Sequence, residues 1–223
     1  MVKLVIIRHG YSVYNKERRF TGQCDVDLDS AGLEQAQDTA KYVVENYAID
    51  KIYSSDLKRA VDTATPIAKA LNLPINTLKG LREIDVGDWE GLTFEQVREL
   101  YPKEFEHYIT DVGNAYCVGG ESYADLVKRA NETMRRLAKE NDGKTLLVST
   151  HGGFIRCLRC AWLNLSLGEI KNIPHVGNAS VTVVEFDGES ANFTLIGYDG
   201  HIKNKVSESR VSDIKTTTQS SAE

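Results

Sequence analysis

Two apolar runs in this chain end in the same pair of residues, a histidine followed by a glycine: Ile6-Ile7-Arg8-His9-Gly10 and Ser149-Thr150-His151-Gly152. An imidazole can be a nucleophile, a base or a ligand. Arg8 adjoins the first histidine, and Arg59 falls in the first turn of a helix that follows a third short apolar run. A guanidinium is a fixed cation whose planar fork suits phosphate or carboxylate. Ser12 and Asn15 follow Gly10 closely, and Glu83, in an irregular charged segment at 81–91, is a candidate acid/base.

Read alone, Arg8-His9 is equally a polar pair closing a strand at the surface. Placed at the carboxyl ends of parallel strands, where the chain turns into a crevice, two arginines and two histidines make one concentrated positive site. Such a site implies an anion, and phosphate suits it better than a monocarboxylate. Two histidines and a glutamate also make a metal triad, but Arg8 and Arg59 would crowd that site with like charge. A Ser-His-Asp hydrolase lacks its Gly-x-Ser-x-Gly elbow here.

The elements that must position these groups are legible in periodicity. Residues 2–7 read as a fully buried strand, and 10–29 as a long loop of the kind that often carries function. Ser30 is placed to cap a helix with Leu33, Ala36, Ala40, Val43, Val44 and Tyr47 on its apolar face. A short strand at 51–54 precedes a helix capped by Ser55 or Asp56, which Pro66 should kink or split. Thr93 and Gln96 have capping-box spacing. Residues 102–120 read as short helices and a loop over the crevice. A long helix follows Ser122, then a strand at 145–150, a helix at 154–165 and a hairpin of 180–186 with 193–198. This order predicts an α/β three-layer sandwich: a mostly parallel central sheet with helices on both faces.

With 223 residues, 41% hydrophobic and 26% charged, the chain suits a single globular domain, 1–202, followed by a polar, flexible tail, 203–223. A net charge of −5 supports neither nucleic-acid nor membrane-surface binding. No apolar run approaches the roughly 20 residues that span a bilayer, and the amino terminus reads as a strand rather than a signal peptide. A cytoplasmic protein is expected. Cys24, Cys117, Cys157 and Cys160 are then free thiols, the last two one turn apart on a packed helix rather than a metal or redox pair.

At this point the residues carry a likeness. Arg8-His9-Gly10 with Ser12 and Asn15 resembles the RHGxSxxN signature of the histidine phosphatase superfamily, phosphoglycerate-mutase-like branch. FTGQ at 20–23, YSSDLKRAVDTA at 53–64, LREIDVGDWEG at 81–91 and STHGGFIR at 149–156 agree in order, so the resemblance spans roughly 2–200. It implies that His9 attacks phosphorus. Arg8, Arg59 and His151 would bind the phosphoryl oxygens, as would Asn15. Glu83 would protonate the leaving oxygen and then activate water, and Gly152 would offer a backbone N–H. Thr21, Gly22, Gln23 and Arg82 would lie near the rest of the substrate. It also implies no metal. The surrounding cations should keep His9 neutral.

Phosphatase and mutase share the phosphohistidine and differ in whether water reaches it. Mutase relatives carry a longer insertion with an arginine pair and several prolines. Here 101–120 has Pro102, no arginine, and Lys103 as its one strong base. The expected activity is therefore phosphomonoester hydrolysis of a small phosphorylated metabolite. The alternatives are a phosphoglycerate mutase primed by 2,3-bisphosphoglycerate, whose FTGQCDVDL character the chain retains, and a non-catalytic phosphate-binding protein. No other cofactor is expected, and a homodimer is left open.

Overall fold

Alternate side chains of the buried strands feed two separate cores, one on each face of the sheet. The computed structural model describes residues 1–206. Its elements run β1 (Val2–Arg8), α1 (Val13–Glu17), α2 (Ser30–Asn46), β2 (Lys51–Ser54), α3 (Lys58–Leu71), β3 (Ile75–Thr77), α4 (Phe94–Leu100), α5 (Pro102–Thr110), α6 (Tyr123–Glu140), β4 (Thr145–Thr150), α7 (Gly152–Trp162), β5 (Val181–Phe186) and β6 (Ala191–Tyr198). The sheet order is β3-β2-β4-β1-β5-β6. β1, β2, β3 and β4 pair in parallel, while β5 and β6 add an antiparallel edge beside β1.

Val2, Leu4 and Ile6 of β1 and Leu146 and Val148 of β4 pack with Leu126, Met134, Phe154 and Leu158 from α6 and α7. Val5 and Ile7 of β1 and Leu147 of β4 pack with Ala40, Val43, Ala64 and Ile67 from α2 and α3. The period-2 alternation of the strands thus fills both faces of a three-layer α/β sandwich.

Several local expectations are corrected. The α2 cap is Asp29, not Ser30: Asp29 is extended, and its carboxylate accepts from Ala31 N–H at 3.0 Å and pairs with Lys16 at 2.9 Å. A carboxylate at a helix amino end also meets the helix dipole favourably. Neither Ser55 nor Asp56 caps α3, whose cap position is Leu57. The Asp25 carboxylate accepts from Lys58 N–H at 2.6 Å instead, and Asp56 is committed to Arg82. Pro66 lies inside an α3 that is not split. Buried Arg59, Ala60, Thr63 and Ala64 before the proline and Ile67 and Ala68 after it hold the helix to its neighbours, and packing outweighs the local break. The loop 10–29 contains α1, closed by a Ser12–Asn15 capping box. α7 begins at Gly152, earlier than periodicity placed it, and β3 was unforeseen. In the tail, Lys203 N–H donates to Asp38 and Asn204 to Glu34 of α2; residues 207–223 lie outside the described residues.

These caps give a clean test. Asp29→Ala should cost about 1 kcal/mol in urea unfolding, and Ser30→Ala under about 0.5 kcal/mol. The Lys16 hydrogen bond and the Ala31 N–H hold the Asp29 carboxyl below its usual range. The Asp29 contribution should therefore be complete above the ordinary carboxylate pKa and fade as acid titrates the folded group. Equal losses for both variants would contradict the observed cap.

Candidate active site

Three parallel strands stop at one level. Arg8 is in register with Thr150, and Ser54 with Ser149, so β1, β4 and β2 release the chain along a common edge. The His9 N–H continues the ladder to Thr150 O at 2.9 Å. His9 and His151, one residue beyond their strands, are neighbours with ring centroids 5.2 Å apart.

The His9 ring has a determined tautomer. Its Nδ1 lies 2.8 Å from the Gly10 carbonyl, and a carbonyl only accepts, so Nδ1 carries the proton and Nε2 presents a lone pair. Burial, then Arg59 and Arg8, push the imidazole pKa well below the usual histidine value. Gly10 itself meets protein rather than ligand: a Cβ there would come within 2.7 Å of Gly32 O in the first turn of α2. Its N–H donates to Thr63 Oγ1 at 3.0 Å.

Both guanidiniums are held by carbonyls. Arg8 donates to Val176 O at 2.8 Å. Arg59, fully buried, donates to Cys24 O at 2.7 Å and Gly22 O at 2.8 Å, and its Nε has no partner. Burial draws Arg59 down to about 10, still charged at neutral pH. His151 is fully buried, and neither ring nitrogen is hydrogen-bonded among the described residues. Burial, then Arg59 and His9, drive its pKa well down. Such groups, costly to leave unsatisfied, fit the oxygens of an anion.

Glu83 arrives from the irregular segment and docks on the amino end of α7. Its Oε1 accepts from Ile84 N–H at 3.0 Å and Phe154 N–H at 3.1 Å, and its Oε2 from Gly153 N–H at 3.0 Å. The close approach needs Gly153, because a Cβ there would collide with the Glu83 carboxylate.

A cavity of about 530 Å³ opens over this edge. Of the residues singled out from the sequence, Arg8, His9, Asn15, Thr21, Gly22, Arg59, Glu83 and Gly152 line it, and His151, off the wall, has its ring 5.2 Å from that of His9. Gln23 and Arg82 do not. Arg82 is held bidentately by Asp56 at 2.7 and 2.6 Å and donates to Gln23 Oε1 at 3.1 Å, while Gln23 Nε2 donates to Glu83 O at 3.2 Å. They buttress the Glu83 segment. Asn15 Oδ1 accepts from Ser12 N–H at 3.0 Å, Ser12 Oγ at 2.9 Å and Asn178 Nδ2 at 3.3 Å.

Sequence reasoning missed Arg156, Lys171 and His175 on the wall, and the phenols of Tyr108 and Tyr123, which are 3.2 Å apart. Arg156 was legible as the last residue of STHGGFIR; Lys171 and His175 lie beyond α7 in a stretch without periodicity. Among the described residues no three His, Cys, Asp or Glu side chains cluster to hold a metal ion, and no helix is long and apolar enough to cross a membrane.

With this geometry in view, the sequence matches the histidine phosphatase superfamily, branch 1, over residues 4–199. The chain belongs to that superfamily. It is 34% identical over 206 residues to phosphoglycerate mutase-like protein 4 of Arabidopsis thaliana, covering 90% of this chain and 87% of that protein. It is 34% identical over 187 residues to phosphoserine phosphatase 1 of Hydrogenobacter thermophilus, covering 84% and 88%. The structure of Bacillus stearothermophilus YhfR superposes with a TM-score of 0.86 at 31% identity, covering 91% of this chain and all (100%) of that one.

Nitrogen-15 NMR should find both site imidazoles neutral at pH 6, with the His9 proton on Nδ1. Stability should fall as pH drops below the ordinary histidine pKa of about 6.5, because unfolded imidazoles bind protons that the buried ones refuse. A His9 imidazolium at pH 6 would contradict the assignment.

Proposed function

We propose that this chain is a phosphomonoesterase that acts on a small phosphorylated metabolite through a phosphohistidine on His9, with Glu83 as general acid and base. The observation that carries the reading is the 2.8 Å contact of His9 Nδ1 with the Gly10 carbonyl, which assigns the proton to Nδ1 and leaves Nε2 as a nucleophile among Arg8, Arg59 and His151. In the first step Nε2 bonds to phosphorus as the ester P–O bond breaks, and the leaving oxygen takes a proton from Glu83. In the second, water attacks phosphorus, its proton passes to Glu83, the N–P bond breaks and inorganic phosphate leaves. Arg8, Arg59 and a neutral His151 donate to the equatorial oxygens, where charge spreads in the transition state.

The hydrogen bonds of Glu83 suit both steps. Oε1 has two N–H donors and Oε2 has one, so Oε2 keeps a lone pair with which to hold the proton. The guanidiniums supply the charge that a metal clamp would otherwise provide. Relatives named phosphoserine phosphatase support a phosphorylated hydroxy- or amino-acid as substrate. The mutase alternative rests on the likeness to a mutase-like protein. Against it, Tyr108, Ile109 and Val112 cover the cavity from α5 and the loop beyond it with a phenol and apolar groups rather than cations.

Product partition tests the reading. With 3-phosphoglycerate and 2,3-bisphosphoglycerate present, released phosphate should exceed isomerised product, and chelator should leave turnover intact. Efficient isomerisation would favour the mutase, loss of activity restored by zinc or magnesium would favour a metal mechanism, and no turnover of any phosphomonoester would leave a binding protein.

The roles of the two residues separate by leaving group. His9→Ala should abolish turnover of every ester. Glu83→Gln should slow alkyl phosphates by about 10²–10⁴-fold, because an alkoxide needs a proton as it departs. With nitrophenyl phosphate it should give a burst of nitrophenol and accumulate acid-labile phosphoprotein. Equal slowing of both esters without a burst would remove Glu83 from the mechanism.

A further inference from the structure

We infer that Arg129, on α6 and outside the cavity wall, is a positioning residue for Glu83, an inference that rests on the acid/base reading above. A guanidinium has five N–H donors, and each of the five on Arg129 has a partner. Nε donates to Glu121 Oε1 at 2.8 Å. One terminal nitrogen donates to Gly80 O at 3.2 Å and Arg82 O at 2.8 Å, and the other to Glu83 O at 3.0 Å and Glu121 Oε2 at 2.6 Å. Three of these bonds go to carbonyls within four consecutive residues, and one of those carbonyls belongs to Glu83 itself.

Glu121 completes the clamp from the far side. Its Oε2 also accepts from Asp85 N–H at 3.0 Å, and its own N–H donates to Asp85 O at 2.8 Å. The stretch from Gly80 to Asp85 is thus tied down by one ion pair, whose side chains are each 22% exposed, beside the contacts that Asp56, Gln23 and Thr150 make to it. It needs that support. Apart from the 3₁₀ turn Lys79–Leu81 it has no regular structure, so no strand or helix ladder fixes the φ/ψ values that aim the Glu83 side chain. The carboxylate is aligned at its tip by Ile84, Gly153 and Phe154 N–H; Arg129 fixes its root. A lysine in its place would bring three donors from a single point and could not span three carbonyls and a carboxylate.

The consequence is selective. A loosened Glu83 backbone impairs the step that needs a precisely placed proton, while the attack by His9, built on β1, proceeds. Misplacement of a catalytic group by an ångström costs on the order of 10²-fold. kcat/KM for glycerol 3-phosphate and for nitrophenyl phosphate should be measured in wild type, Glu83→Gln, Arg129→Gln and the double variant, with thermal melts as a folding control. Arg129→Gln should lower the glycerol 3-phosphate value by on the order of 10²-fold and leave the nitrophenyl phosphate value within a few-fold. The double variant should lose little beyond Glu83→Gln on the alkyl ester. Arg129→Lys should recover part of the loss. Should Arg129→Gln not fold, Arg129→Lys and Glu121→Gln carry the same comparison with smaller effects. Equal losses on both esters, or additive losses in the double variant, would overturn the positioning role while the Glu83 split stands. Absence of the split in Glu83→Gln would overturn the acid/base reading and the positioning role with it.

Discussion

Cations gripped by main-chain carbonyls set the character of this site. Arg8 rests on Val176 O and Arg59 on Gly22 and Cys24 O. A carbonyl dipole orients a guanidinium without neutralising it, so each charge is fixed in place. Other arginines pair with carboxylates: Arg82 with Asp56, Arg129 with Glu121 and Arg19 with Glu17. Burial first, and then the charges of Arg59 and Arg8, hold both histidine pKa values down, and the two guanidiniums make an anion the natural partner. Among the described residues, Glu83 is the one carboxylate on the cavity wall, and its oxygens are committed to main-chain N–H groups rather than to those arginines.

Each layer of the sandwich supplies one part. The sheet places the histidines, because β1 and β4 pair in register and both end at this edge. α3 supplies Arg59 from its first turn, and the loop at 20–24 holds it through its carbonyls. α7 offers N–H groups to Glu83, and α6 pins the segment that bears it. The close contact of Gly10 with Gly32 seats α2 against the turn that carries His9.

Much of this was legible in sequence, and the failures have physical causes. β1 and β4 announce themselves as apolar runs, and Arg8, His9, Arg59 and His151 converge because strand ends in parallel sheets must. The family resemblance implies Arg82 and Gln23 near the rest of the substrate; in the structure Asp56, at the start of the segment leading into α3, takes the Arg82 guanidinium. No local pattern encodes a pairing across 26 residues. Arg129 reads as one more solvated cation on an amphipathic helix, since its partners are carbonyls that any sequence would carry. Asp29 and Ser30 are both good caps, and the choice fell to Lys16, a charge on another element.

The place of β1 in the sheet has a consequence for how the molecule is made. β1 pairs with β4 and β5 and with neither β2 nor β3: Lys3 faces Thr145 on one side, and Val2 faces Phe186 on the other. His9, carried just after β1, thus precedes in the chain both strands that hold β1 in place. Until the chain has emerged as far as β4, an apolar strand with two open edges waits for partners more than a hundred residues away. Loop closure of that span is slow and leaves such an edge exposed to aggregation. The same order is protective in another sense. A chain that stops short of β4 holds the histidine but not the sheet that seats it beside His151 and Arg59, so the site assembles only with the finished fold.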